Sequence, residues 1–217
     1  MLTLERVAQR YGDNLVFKNV SCTLEAGSVT LLVGDNGAGK STLLRIMAGL
    51  TRPVAGTARF AEPTLKIGYL GHATFVYPAL TAFENLLFWR DSHGLEQTEE
   101  DIFNVLERTA LAGRARDRAG TFSRGMAQRL NLARVILQQP DIFLLDEPTT
   151  GLDAKSRAML HKEILLAREQ GACVVLVSHD LAQAEPLADR VFCLEKRTLV
   201  EKACSRRKQT PERPCCA

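Results

Sequence analysis

Apolar and polar residues alternate over positions 1–33, with turn signals at Gly12-Asp13-Asn14 and Ala26-Gly27. A period of two predicts antiparallel strands with one buried face. The stretches 29–33, 142–145 and 172–178 break that rule by being almost wholly apolar. Strands covered on both faces read this way, as they do in parallel sheets. Residues 51–71 carry Pro53, Gly56 and Pro63 and predict short strands, the last at 66–70. After Thr81 the period lengthens toward that of a helix. Thr81-Ala82-Phe83-Glu84 is a capping box, and Thr98-Glu99-Glu100-Asp101 resembles one before Ile102, Phe103, Val105 and Leu106. Residues 73–138 therefore predict a helical lobe inserted between strands. Further helices are expected at 43–48, ended by Gly49, at 127–137, and at 156–170, closed by Gly171.

The run Val29–Val33 leads into Gly34-Asp35-Asn36-Gly37-Ala38-Gly39-Lys40-Ser41-Thr42. This fits G-x-x-x-x-G-K-[ST], the phosphate-binding P-loop, in the strand–loop–helix setting the motif requires. Its glycines let the backbone turn tightly with N–H groups inward, and the following helix adds partial positive charge where phosphates sit. Lys40 is placed to reach β- and γ-phosphates, and the Ser41 hydroxyl to ligand Mg²⁺. About a hundred residues on, an apolar strand ends in Asp146 and Glu147. In a P-loop protein that pair belongs to Walker B: Asp146 holds Mg²⁺ through its water shell, and Glu147 orients and polarises the attacking water. His179 directly follows the third apolar strand.

Composition narrows the picture. With 217 residues, 46% hydrophobic and 24% charged, the chain reads as globular, and a net charge of +3 argues against nucleic acid as the main partner. No apolar run reaches the ~20 residues of a membrane span, and the first residues lack a signal-peptide core, so a cytosolic protein is expected. The six cysteines show no C-x-x-C spacing; Cys173 and Cys193 read as core thiols, and His93 and His161 as surface residues. Residues 196–217, with seven Lys/Arg against two Glu and with Pro211 and Pro214, predict a basic, disordered tail after a domain spanning 1–195.

Over residues 1–195 the chain resembles the ATP-binding subunits of ABC transporters. Besides the P-loop at 34–42 and Walker B at 142–147, Gly151-Leu152-Asp153 looks like the D-loop, with Asp153 as its acid. His179 looks like the switch histidine, and Tyr11 like the aromatic that stacks on adenine. Thr121-Phe122-Ser123-Arg124-Gly125-Met126 matches the signature motif. The resemblance implies an α/β fold of the ABC ATPase type, a P-loop NTPase with a mainly parallel core sheet, an antiparallel β subdomain and the inserted lobe. It implies ATP and Mg²⁺ as cofactors and integral membrane permease subunits as partners, on the cytoplasmic side of the cell inner membrane. It also implies an ATP-dependent homodimer in which Ser123, Arg124 and Gly125 of one copy cap ATP on the other's P-loop. The chain departs from the family in the signature, where Arg124 stands in place of the common Gly and Met126 in place of the common Gln, and at the Q-loop position, which His72 occupies. Gly71-His72, the Phe-Ser-Arg-Gly-Met signature and the short chain are similar to the haem-exporter ATPases of cytochrome c maturation. Similar signatures occur in exporters of drugs, polysaccharides and lipids. A soluble ABC ATPase of assembly, repair or translation, and an ATP-gated scaffold, are the readings from other classes.

Overall fold

The computed structural model describes residues 1–71 and 73–203. Nine strands and six α-helices run in the order β1 (Leu2–Tyr11), β2 (Asn14–Leu24), β3 (Val29–Val33), α1 (Lys40–Met47), β4 (Ala55–Phe60), β5 (Ile67–Leu70), α2 (Ala82–Ser92), α3 (Glu99–Arg108), α4 (Arg124–Leu137), β6 (Ile142–Asp146), α5 (Ala154–Glu169), β7 (Cys173–Val177), α6 (Leu181–Ala184), β8 (Arg190–Glu195) and β9 (Thr198–Lys202). The alternating N-terminal segment makes the antiparallel sheet β2-β1-β4, and the apolar runs make the sheet β5-β6-β7-β3-β8-β9. The second sheet is parallel except where β9 turns back on β8.

The apolar runs are continuous because each strand faces a different core on each side. Phe143 and Leu145 of β6, with Val174 and Leu176 of β7, pack against α2 to α5. Ile142 and Leu144, with Val175 and Val177, pack against α1 and the antiparallel sheet. Each such side chain, fully removed from water, stabilises the fold by ~1.5–3 kcal/mol. A polar residue on either face would face a dry core, which is why alternation is lost here.

Parallel register aligns the strand ends. Leu32 lies beside Val177, and Val177 beside Asp146. The P-loop after β3, Glu147 after β6 and His179 after β7 therefore leave the sheet along one carboxyl edge, where ligands of such sheets bind. Both capping boxes form, at Thr81/Glu84 and Thr98/Asp101. Three helices start earlier than their apolar periodicity suggests: α1 at Lys40, α4 at Arg124 and α5 at Ala154. Their first residues carry no large apolar side chain, so hydrophobic spacing does not mark them.

The basic segment from 196 does not begin as a tail. Residues 198–202 form β9, joined to β8 by Lys196 and Arg197, both in the left-handed region (φ 48 and 65). That is a two-residue hairpin turn of the type usually built from Asn-Gly, and Lys-Arg gives no such signal. The rest of the expected tail, 204–217, lies outside the described residues.

Candidate functional site

The P-loop wraps the start of α1. Gly39 is the N-cap at φ 103, and a methyl group there would collide with Val16 and Phe17 of β2, so glycine is required on both counts. The Ala38 N–H donates to the Asp35 carbonyl at 3.1 Å. Lys40 curls back over the loop, its Nζ donating to the carbonyls of Gly34 (2.8 Å) and Asp35 (3.0 Å). Ser41 Oγ donates to Asp146 Oδ1 at 3.1 Å, joining the P-loop helix to the end of β6.

Asp146 is buried, and its other neighbour is the phenol of Tyr69 on the adjacent strand β5. Burial, followed by the Asp146 charge, pushes the Tyr69 pKa up to about 12, and a side-chain hydrogen bond to Asp146 adds to the rise. Glu147, one residue beyond β6, sits at φ 53, a strained conformation for a residue with a side chain. Its N–H is fixed to the Val177 carbonyl at 3.1 Å, which holds that conformation. The Glu147 carboxylate accepts from His179 Nδ1 at 2.6 Å. An ionised carboxylate only accepts, so the proton of this hydrogen bond is on Nδ1. The Glu147 side chain is 14% exposed and that of His179 67%, so the pair has an inner base and an outer, accessible imidazole.

The P-loop, Asp146 and Glu147 line a cleft of about 470 Å³, which His179 meets only through Glu147. Tyr11 and Asn14 form one wall, residues from Asn36 to Thr42 the floor, and Asp146 with Glu147 the far side. The Tyr11 ring is 55% exposed, open to stacking against a flat ligand. Ser123, Arg124 and Gly125 are not part of this cleft. Ser123 caps α4, its Oγ accepting from the Met126 N–H at 3.3 Å, and the turn packs against Gly151 of the same chain. Asp153 caps α5 through the Ser156 N–H at 2.7 Å, a hydrogen bond that holds its carboxyl below the usual range.

Residues 17–150 match the family model described as ABC transporter. The chain belongs to that family, as an ATP-binding subunit. It is 33% identical over 211 residues to the linearmycin resistance ATP-binding protein LnrL of Bacillus subtilis (92% of this chain, 68% of that one). It is 34% identical over 195 residues to the zinc import ATP-binding protein ZnuC of Jannaschia sp. (89% and 79%). It is 35% identical over 187 residues to the cytochrome c biogenesis ATP-binding export protein CcmA of Mannheimia succiniciproducens (82% and 87%). An ATP-binding cassette solved as a dimer in a post-hydrolysis state with ADP and Pi superimposes with TM-score 0.83 at 26% identity, covering 94% of this chain and 99% of that one.

The fold is thus the ABC ATPase fold, and the chain is an ATPase of the transporter type that binds ATP. Proteins of this family act with membrane permease subunits and dimerise. Among the described residues no helix is long and apolar enough to cross a membrane. Residues of the expected P-loop and Walker B meet Tyr11 in the one cleft, with His179 joined to it through Glu147, whereas those of the signature and Asp153 lie outside it. His72 lies outside the described residues. His161, expected at the surface, is half-buried, and burial together with Arg157 lowers its pKa. Tyr69 was not visible as a site residue, because its approach to Asp146 depends on β5 pairing with β6.

Proposed function

We propose that this chain hydrolyses Mg-ATP at sites shared between two copies and uses the cycle to drive integral membrane permease subunits at the cytoplasmic face of the inner membrane. The observation that carries the reading is the Glu147–His179 contact of 2.6 Å beside the P-loop. It supports a general base, oriented by an imidazole, where the γ-phosphate of ATP held by Lys40 would end.

The donor set suits Mg²⁺. Ser41 Oγ and Asp146 Oδ1 are hard oxygens 3.1 Å apart, and this ion takes few protein ligands, completing its shell with water and phosphate oxygens. When bound, the ion neutralises charge on the β- and γ-phosphate oxygens. Glu147 accepts a proton from the attacking water as its oxygen bonds to the γ-phosphorus. His179 holds Glu147 in place and offers Nε2 toward that water. Lys40 compensates charge on the transferring group, and the bond to the β–γ bridging oxygen breaks to release ADP. Tyr11 stacks on the adenine. Ser123, Arg124 and Gly125, at the N-terminus of α4, offer an anion site to ATP on the other copy, and Asp153 meets the partner nearby.

For the cargo we propose export, with haem for cytochrome c maturation as the first reading. Gly71-His72, the Phe-Ser-Arg-Gly-Met signature and the 87% span of the CcmA relative support it. Antibiotic-resistance and zinc-import relatives are about as similar, which supports a cargo chosen by the membrane partner and keeps another exporter as the alternative.

The test is to purify the tagged chain from membranes and assay the complex for Mg²⁺-dependent ATP turnover with and without haem. A multi-span partner and haem-stimulated turnover are expected. Turnover without any membrane partner would overturn the transport reading, and a partner whose turnover ignores haem would move the cargo to another exporter class.

A further inference from the structure

Arg124 is the first residue of α4, and its side chain is exposed. It does not point away into water. A methyl group placed on Gly151 would come to 3.3 Å from both Cδ and Nε of Arg124, and 3.6 Å from Cγ, so the arginine stem lies across the bare face of that glycine. Gly151 is at φ 79, a conformation that itself excludes a side chain. Beside it, a methyl on Gly125 would stand 3.2 Å from the Gly151 carbonyl. The same turn is held from below by its own helix: Arg157 Nη1 donates to the Leu152 carbonyl at 2.9 Å, and Asp153 caps α5. Among the described residues the Arg124 guanidinium has no carboxylate partner, so what it offers the turn is packing rather than an ion pair.

We propose that Arg124 is a positioning residue whose stem ties the signature turn of the helical lobe to the 151–153 turn of the same subunit. Ser123 and Asp153 then reach the neighbouring copy as one edge instead of two independent loops. A glycine at 124 leaves the face of Gly151 uncovered and the two turns joined only through Gly125. The inference rests on the two-copy site described above. It adds that the geometry one copy presents is set within that copy, by the stem of Arg124 lying over Gly151.

The experiment compares Arg124→Gly, Arg124→Met and Arg124→Lys, with Gly151→Ala and the Arg124→Gly/Gly151→Ala double variant. Nucleotide affinity of the single subunit, kcat, KM and thermal unfolding are measured for each. Arg124→Gly is expected to bind ATP within about twofold of wild type and to lose about fivefold or more in kcat, with little change in KM. Arg124→Met and Arg124→Lys both keep an unbranched stem and should each lose less than half as much. Gly151→Ala keeps its backbone strain at φ 79 in both backgrounds, but its methyl crowds the Arg124 stem at 3.3 Å only where the arginine is present, so the double variant should lose less than the two single variants combined. Wild-type kcat in Arg124→Gly overturns the proposal. So do additive losses, or rescue by Lys but not by Met, which would place the effect in the charge. A Glu147→Gln subunit that stays single in ATP would instead sink the two-copy reading; pairing of that subunit alongside an unimpaired Arg124→Gly would sink only this one.

Discussion

Glu147 and Lys40 border the same cleft but act on different properties of it. Glu147 is held at φ 53 by its N–H bond to Val177 and reaches His179, so its carboxylate is fixed before any ligand arrives. Glu147→Gln keeps the shape and removes the base: ATP binding should stay within about threefold while turnover drops about a hundredfold or more. Lys40 is the opposite case. Its Nζ now satisfies two loop carbonyls and would exchange them for phosphate oxygens. Lys40→Ala should weaken ATP binding by about tenfold or more, each factor of ten being ~1.4 kcal/mol. Equilibrium binding and steady-state turnover on both variants check the pair; unchanged affinity in Lys40→Ala or full turnover in Glu147→Gln contradicts the roles. At this scale the sequence was informative wherever chemistry is local. Nine consecutive residues make the P-loop, and Asp146-Glu147 are adjacent. Tyr69 was silent because only strand pairing brings it to Asp146.

At the scale of elements, the two capping boxes were legible since each needs only three residues of spacing. The Glu84 carboxylate accepts from the Thr81 backbone N–H at 2.8 Å, and that bond first, then the Thr81 side chain, holds its pKa below the ordinary value. A depressed carboxylate stabilises the fold in its ionised form. The contribution is complete above the unfolded value near 4.5 and is lost as pH falls through the folded one. Wild type should therefore melt above Glu84→Gln at pH 7, with the gap closing as the pH drops below 4.5. Thermal unfolding of both across that range decides it, and a gap that persists in acid contradicts the assignment. The hairpin of β8 and β9 was illegible for the converse reason: its turn residues, Lys196 and Arg197, adopt positive φ without the Asn or Gly that would announce it. Apolar spacing does not mark the early starts of α1, α4 and α5, because their first residues, Lys40-Ser41-Thr42, Arg124-Gly125 and Ala154-Lys155, carry no large apolar side chain.

In the proposed two-copy site, the phosphate-binding groups come from two separate edges of each molecule. One cleft holds Tyr11, the P-loop, Asp146 and Glu147; another edge carries Ser123 and Asp153, with Arg124 lying over Gly151. The sequence announced both sets and put them on separate lobes; no spacing between residues 42 and 123 fixes how the helical lobe stands against the sheet. Cargo was least legible of all, because nothing in the cleft contacts it. The central claim is that the cleft is completed by Ser123 of a second copy. It is tested most directly by single cysteines at Ser123 and Asn36, both exposed, in a Glu147→Gln chain stripped of its native cysteines. A cross-link joining position 123 of one copy to position 36 of another should form with Mg-ATP and fade with ADP. A cross-link that never forms, or forms equally without nucleotide, contradicts the account.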